Sequence, residues 1–329
     1  MRRPLIPVAS IALALSVALV LAGCSSKSGA ASTSTPTPTP TPSSTAPVVP
    51  EDWTGDSVPT ISGVYGDKPT LTFPKVSAPT KLEKKIVSEG SGPAVNKGDL
   101  LVADYFGQIW DGKPFDNSYD RGQPVGFAIG TGKVIAGWDD TLVGVKAGSR
   151  VLISLPPAEG YGKDGNTSAG IKGTDTLVFV VDVVSSFSGS ATADATAAVQ
   201  PVVAGTPTVT GALATKPDIK IPAGLAKPTK ARTVVLAKGS GAPVAKSLVI
   251  VQYQVIDWTG KTVASTWADQ APSGVNVGQT SAPGVFDGLL GVPIGSRVLI
   301  EIPAASGQGP YAAVIDIIGV AKSAKESRG

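Results

Sequence analysis

Five short stretches hold the residues in this chain that could do chemistry. They are Val102-Ala-Asp-Tyr105-Phe-Gly, Lys113-Pro-Phe115-Asp116-Asn-Ser, Gly132-Lys-Val134-Ile135-Ala-Gly-Trp138, Ile153-Ser-Leu-Pro156-Pro-Ala-Glu-Gly-Tyr161-Gly and Thr176-Leu-Val-Phe179-Val-Val-Asp182-Val. Only 5% of the chain is aromatic, so the return of an aromatic residue in each stretch marks them out. Two absences narrow what they could do. There is no histidine, which removes the usual general base and the commonest zinc ligand. There is one cysteine, which rules out an internal disulfide and a cysteine metal cluster. Ser-His-Asp and Cys-His catalysis are excluded by counting. Activity must rest on carboxylates, hydroxyls, backbone groups or the shape of a pocket, and no cofactor or metal site is expected.

Two tempting motifs fall away. Gly130-Thr-Gly132-Lys133 looks like part of a phosphate loop, but Phe127 and Val134 stand where that motif needs Gly and Ser/Thr. The adjacent Asp139 and Asp140 read as solvated charges at a helix start, not as an acid/base pair. Asp116 has a plain alternative as a turn-capping residue.

The elements that must position these residues are mostly strands. Leu101, Ala103 and Tyr105 alternate on one face, as do Val151, Ile153 and Leu155, then Leu177, Phe179, Val181 and Val183. Asp111-Gly112 reads as a hairpin turn that tolerates positive φ at both central positions. One short helix is expected, with Trp138, Leu142 and Val145 on one side. Asp139 and Asp140 in its first turn and Lys146 near its end suit the helix dipole, and Gly148 is placed to stop it. A short amphipathic helix among antiparallel strands predicts an α+β domain.

The order and spacing of the five stretches resemble the FKBP-type peptidyl-prolyl cis-trans isomerase family over residues 81–187. The resemblance implies an antiparallel sheet wrapped around one short helix, with a pocket between them. Tyr105, Phe115, Trp138 and Phe179 would form its apolar walls, Trp138 being the floor under a proline ring. Val134 and Ile135 would form a lip, and the Ile135 N–H would bind a substrate carbonyl. Tyr161 would offer its hydroxyl to another carbonyl, and Asp116 would sit at the rim, held by the Tyr105 hydroxyl. The implied activity needs no histidine. Rotating an Xaa-Pro bond uses neither nucleophile nor proton shuttle, and its barrier is amide resonance of about 18–20 kcal/mol. A dry aromatic pocket that favours the twisted amide over the planar one would lower it. Macrolides are a further ligand class that the family implies. The chain departs from the family pattern at Val125, at Lys133 and in the loop 163–174, which make the upper rim less apolar.

A second unit repeats the first. Pro59-Thr-Ile-Ser-Gly63 matches Pro207-Thr-Val-Thr-Gly211, Gly90-Ser91-Gly92 matches Gly239-Ser240-Gly241, and Gly148-Ser-Arg-Val-Leu-Ile153 recurs unchanged at Gly295 to Ile300. The offsets drift only between 147 and 149, which indicates duplication with small insertions and deletions. The second copy keeps Tyr253, but Phe115-Asp116 becomes Val263-Ala264, Val134-Ile135 becomes Ala282-Pro283, Trp138 becomes Phe286, Tyr161 becomes Gln308, and Ala313 takes the Phe179 position. It reads as a degenerate domain at residues 206–322, joined through a linker at 188–205. It would serve either as a spacer or as a binding module.

The N-terminal residues read as an address. Arg2 and Arg3 precede an apolar run that ends Leu21-Ala22-Gly23-Cys24. This is a secretory signal over residues 1–23, and the cysteine directly after Leu-Ala-Gly resembles the bacterial lipobox, which implies a lipid on Cys24. A single membrane span is the alternative, though the run is at the short end for one. Residues 24–50 repeat Thr-Pro, cannot bury a core and form a disordered tether, which at about 3.1 Å per residue reaches on the order of 80 Å. Residues 51–80 read as an extension of the first repeat. With 42% hydrophobic residues and a net charge of +3 without a basic run, the 329-residue chain has material for two cores and no nucleic-acid footprint. The expected partners are proline-containing exported polypeptides and, through Cys24, the membrane. A non-catalytic binding module or holdase is the competing function.

Overall fold

The computed structural model describes residues 48–278, 285–305 and 307–328. The signal at 1–23, Cys24, nearly all of the tether, and Ala282 and Pro283 lie outside them. The described residues form two compact units. The N-terminal unit holds residues 48–191, 270–274 and 320–328; the rest make the C-terminal unit.

The N-terminal unit is built on strands β1 (Glu51–Asp52), β2 (Thr60–Ser62), β3 (Thr70–Thr72), β4 (Glu83–Ser88), β5 (Leu100–Ile109), β6 (Pro114–Asn117), β7 (Val125–Ala128), β8 (Arg150–Leu155) and β9 (Leu177–Phe187), with helix α1 (Ala136–Leu142) between β7 and β8. The main sheet runs β1-β4-β8-β9-β5-β6, and β7 also pairs with β5. β2 and β3 form a separate two-stranded sheet. The long β5–β9 pairing, from Leu100↔Phe187 to Ile109↔Leu177, is the spine. The sheet is not wholly antiparallel, because β1 joins β4 in parallel.

Alternation located the inner face. Leu101, Ala103, Val151, Ile153, Val181 and Val183 pack with Trp138 and Leu142 of α1. The opposite face is also buried, which alternation alone does not foretell. Trp53 and Leu71, from the segment preceding β4, cover Phe106, Leu152, Val178 and Val180. Residues 51–80 are therefore a third layer of this unit. Trp53 is 1% exposed, and its indole Nε1–H donates to the Ser57 hydroxyl at 3.0 Å.

Helix α1 ends earlier than its periodicity suggests. Val143 is already extended, and Gly144, with φ +85°, turns the chain. Val145 is buried from a loop position, and Gly148 (φ +89°) serves the entry to β8 instead of the helix stop. At the Asp111-Gly112 turn only Asp111 takes positive φ.

The C-terminal unit contains β10 (Ala198–Val199), β11 (Thr208–Thr210), β12 (Asp218–Lys220), β13 (Arg232–Lys238), β14 (Ser247–Asp257), β15 (Thr262–Ser265), β16 (Ser273–Val277), β17 (Arg297–Ile302) and β18 (Tyr311–Ala321). Its sheet order is β10-β13-β17-β18-β14-β15, with β16 on β14 and a separate β11–β12 pair. Where α1 stands in the N-terminal unit, this one has a 3-10 turn at Val285–Leu289; its α-helix, α2 (Thr266–Asp269), lies elsewhere. The expected helix is therefore replaced, and Leu289 alone from that turn is buried. Residues 188–205 are not a free linker either. Ala193 and Ala197 are buried, the Asp194 N–H donates to the Gly295 carbonyl at 2.9 Å, and β10 pairs with β13. At the other end, residues 320–328 belong to the N-terminal unit. Ala324 is fully buried there, and its N–H donates to Asp104 Oδ2 at 2.7 Å.

The verbatim repeat around Arg150 and Arg297 has a structural cause. Arg150 Nε and Nη2 donate to Asp182 at 2.6 and 2.7 Å, and its remaining donors reach the carbonyls of Gly63 and Asp67. Arg297 repeats this with Asp316 and the carbonyls of Ala212, Leu213 and Thr215. All four charged side chains are almost fully buried. A buried ion pair is tolerable only when its remaining donors are satisfied, and here backbone carbonyls satisfy them.

Candidate active site

Tyr105, Phe115, Asp116, Val134, Ile135, Trp138, Tyr161 and Phe179 all line one cavity, between α1 and the inner sheet face. Its space, mouth included, is about 510 Å³. Tyr105 comes from β5, Phe115 and Asp116 from β6, Phe179 from β9. Strand pairing sets Gly107 opposite Asp116 and opposite Phe179. A Cβ on Gly107 would lie 2.7 Å from the Phe115 ring and 2.9 Å from the Phe179 ring, so the glycine makes room for both aromatics. Gly137 does the same for α1, since a Cβ there would come within 2.4 Å of Leu155.

Trp138 forms the floor. Its ring meets Phe127 at 4.7 Å, Phe179 at 5.3 Å and Tyr105 at 5.5 Å, all near edge-to-face. Phe115 meets Phe179 at 5.5 Å. Such contacts add to area burial and fix ring planes. The Trp138 Nε1–H is buried with no partner among the described residues. Ile135 is extended (φ −60°, ψ 141°) just before α1. Its carbonyl accepts from the Trp138 N–H at 3.0 Å, while its own N–H has no acceptor among the described residues.

The polar edge is one network. The Tyr105 hydroxyl donates to Asp116 Oδ2. Arg121 Nη1 donates to Asp116 Oδ1 at 2.6 Å and Nη2 donates to the Tyr105 hydroxyl oxygen at 2.8 Å. The guanidinium also lies 5.5 Å from the Tyr105 ring centroid. Burial, and then the Asp116 carboxylate, push the Tyr105 hydroxyl far above its ordinary value, so it stays protonated and donating.

Known proteins align with this same stretch. The family model described as FKBP-type peptidyl-prolyl cis-trans isomerase matches residues 92–184. An FK506-binding protein of Streptomyces anulatus is 37% identical over 119 residues, which is 36% of this chain and 96% of that protein. The chain belongs to the FKBP-type peptidyl-prolyl cis-trans isomerase family. FkpA of Escherichia coli strain K12, an FKBP-type isomerase, is 40% identical over 105 residues, 32% of this chain and 37% of FkpA. The solved AtFKBP13 structure is 33% identical, covering 33% of this chain and 96% of that one, with a TM-score of 0.31.

The eight cavity positions named from the sequence fall inside the isomerase match, and Cys24 lies outside it. Arg121, Phe127, Asn166 and Ala169 were not anticipated. Phe127 was legible as the third residue of an alternating strand, Val125-Gly-Phe127. Arg121 was not, because a 3-10 turn at Tyr119–Arg121 folds it back over Asp116. Asn166 and Ala169 reach the cavity through a turn in which Asn166 Oδ1 accepts from the Ala169 N–H at 3.2 Å. Asp139 is no solvated charge. Its two oxygens accept from the Gly130 and Gly132 N–H groups at 2.7 Å each, which holds the loop leading to Val134 and Ile135. Those amides face a carboxylate of the same chain. Asp140 Oδ2 accepts from the Val48 N–H at 3.1 Å.

Proposed function

We propose that this isomerase acts outside the cytoplasm on proline-containing exported polypeptides, holding the twisted Xaa-Pro amide without covalent chemistry. The observation that carries the mechanism is an aromatic cavity lined around the Trp138 floor by Ile135, whose backbone N–H has no acceptor among the described residues, and by Tyr161 with its hydroxyl. The proline ring would rest on Trp138 between Tyr105 and Phe179. Val134 and Ile135 would close over it, with the Ile135 N–H on one substrate carbonyl and the Tyr161 hydroxyl on another. Asp116, oriented by Tyr105 and Arg121, would face the rotating amide. A planar amide is the more polar form and loses more on leaving water, so the cavity favours the twisted one. NMR exchange on an Xaa-Pro peptide tests this. The expected result is exchange well above the unassisted rate, which has a time constant of tens to hundreds of seconds. Exchange at the unassisted rate favours the non-catalytic binding module.

The address rests on Leu21-Ala-Gly-Cys24, with a lipid on Cys24 holding the protein at the outer face of the cell membrane through the Thr/Pro-rich tether. Cys24→Ala should move the protein out of the membrane fraction; unchanged fractionation and mass refute the anchor. Relatives named for FK506 binding make that macrolide a second ligand class for the cavity. The C-terminal unit we take as a degenerate copy. Its strand order matches that of the N-terminal unit, while Val263, Ala264, Phe286 and Ala313 stand at the site positions.

A further inference from the structure

A second, more open groove adjoins the cavity. One wall is Lys68, Pro69, Thr70 and Leu71; the other is Pro114 to Asn117 of β6. Phe106 and Gln108 of β5 line it between them, and Asp120 and Arg121 complete it. Its space, mouth included, is about 1150 Å³, roughly twice that of the cavity.

Three features say what would fit. First, the groove is continuous with the cavity, because Phe115 and Asp116 line both. Secondly, both walls are strand edges: β6 ends the main sheet and, among the described residues, β3 pairs only with β2. An edge strand offers backbone donors and acceptors to an added extended chain. Thirdly, the groove is polar but locally neutralised. Lys68 Nζ donates to both Asp120 oxygens at 2.8 and 2.7 Å, and Arg121 is paired with Asp116. Neutral, backbone-rich walls recognise a main chain rather than a charged side chain.

We propose that this groove binds the extended client polypeptide flanking the proline held in the cavity. The inference rests on the cavity being the prolyl site. The 51–80 layer then has two tasks, covering the outer sheet face and walling a substrate track. The isomerase would prefer proline within an unfolded chain over proline in a short peptide.

The test uses the full chain with two substrates of the same Xaa-Pro sequence, a tetrapeptide and a proline-containing unfolded protein. Thr70 is exposed, so Thr70→Trp fills the groove without touching the core. The expected result is a fall in kcat/KM on the unfolded protein of about fivefold or more, the loss of one or two main-chain hydrogen bonds, with the tetrapeptide rate unchanged. A photo-reactive residue a few positions from the client proline should label residues 68–71 in the wild type. Equal loss on both substrates, loss on neither, or labelling confined to other surfaces would overturn the proposal. So would a concentration-dependent dimer that Thr70→Trp dissociates, since a second copy would then be the occupant. No acceleration of either substrate by the wild type would overturn the cavity reading itself, and the groove with it.

Discussion

The two units share a scaffold and differ in what it carries. Each has the same strand order and a buried arginine–aspartate pair that ties an outer loop to the sheet. In each, a serine hydroxyl accepts from a glycine N–H, Ser149 from Gly90 and Ser296 from Gly239. In each, an aspartate holds a glycine amide, Asp139 with Gly130 and Asp287 with Gly278. The aromatic cluster belongs to the N-terminal unit. Where Phe115, Phe127, Trp138 and Phe179 meet, the other unit has Val263, Val275, Phe286 and Ala313. Groups that satisfy buried backbone recur in both units, because leaving such a group unpaired costs stability. The site aromatics fill a cavity, and smaller apolar residues replace them without disturbing the sheet. Fold and site are separable here.

The shared arginine gives the largest expected effect. Arg150→Met strands Asp182 inside the N-terminal unit, and Arg297→Met strands Asp316 inside the other. Removing one partner of a buried pair costs about 3–5 kcal/mol, so each substitution should destabilise its own unit by that order. Urea unfolding followed by circular dichroism reads it. If Arg297→Met leaves stability unchanged, the two pairs are not equivalent, and the common-scaffold comparison breaks.

The outer layer should sharpen the contrast. Trp53 meets Trp110 at 6.2 Å with the rings tilted by 34° and covers the outer sheet face, while the residue one repeat later is Pro201. Trp53→Ala should cost about 3–5 kcal/mol. A fragment starting at residue 81 should unfold more readily than one starting at 48. Equal stability of these two fragments would remove the third layer from the argument.

That the eight expected residues line one cavity, and which strand faces point inward, was legible because motif spacing and two-residue periodicity are local properties. What escaped notice depended on distant partners. Alternation cannot say that Phe106, Leu152, Val178 and Val180 are covered by residues from before β4. Residues 188–205 look like a linker by composition, yet Ala193 and Ala197 are small enough to bury. The early end of α1 follows from Val143 and Gly144, which interrupt an apolar spacing that continues to Val145. Arg121 is charged and turn-borne, and its value lies in Asp116 and Tyr105, which only folding brings to it. Asp139 looked solvated because its partners are backbone amides, which have no sequence signature.

Asp116→Val tests which unit catalyses. It removes the acceptor of both the Tyr105 hydroxyl and Arg121, and hydrogen bonds to a charged group are worth about 1.5–3 kcal/mol. The full chain should lose about tenfold to a hundredfold in kcat/KM on an Xaa-Pro peptide, with circular dichroism showing that the unit stays folded. Activity that stays at the wild-type level would locate catalysis in the C-terminal unit or away from Asp116. A smaller loss is expected from Tyr161→Phe. One neutral hydrogen bond is worth about 0.5–1.5 kcal/mol, so kcat/KM should fall about twofold to tenfold. The Gln308 counterpart is exposed, and Gln308→Ala should leave kcat/KM as it was.

The pH profile should show the least change of all. With no histidine, nothing in the chain has an ordinary side-chain value near neutrality except a thiol. Burial, and then Asp116, raise the Tyr105 hydroxyl; burial raises that of Tyr161 as well. Both tyrosines therefore stay protonated on the alkaline side. The charge that matters to the lip loop is on Asp139. Burial raises its carboxyl, against the opposing pull of the Gly132 and Gly130 N–H groups. A carboxyl raised in the closed loop holds its proton more tightly there than in solvent, so acid does not open the loop; the stability this group contributes is present below the ordinary aspartate value and is lost as pH rises through the raised one. Activity should be flat from about pH 7 to pH 9, where both tyrosines stay protonated. Asp139→Asn should keep that flat profile while lowering the plateau, because a neutral amide oxygen is a weaker acceptor for the Gly130 and Gly132 N–H groups. A bell-shaped profile centred near neutrality would mean that a proton is transferred in the rate-limiting step, and the non-covalent mechanism would fail.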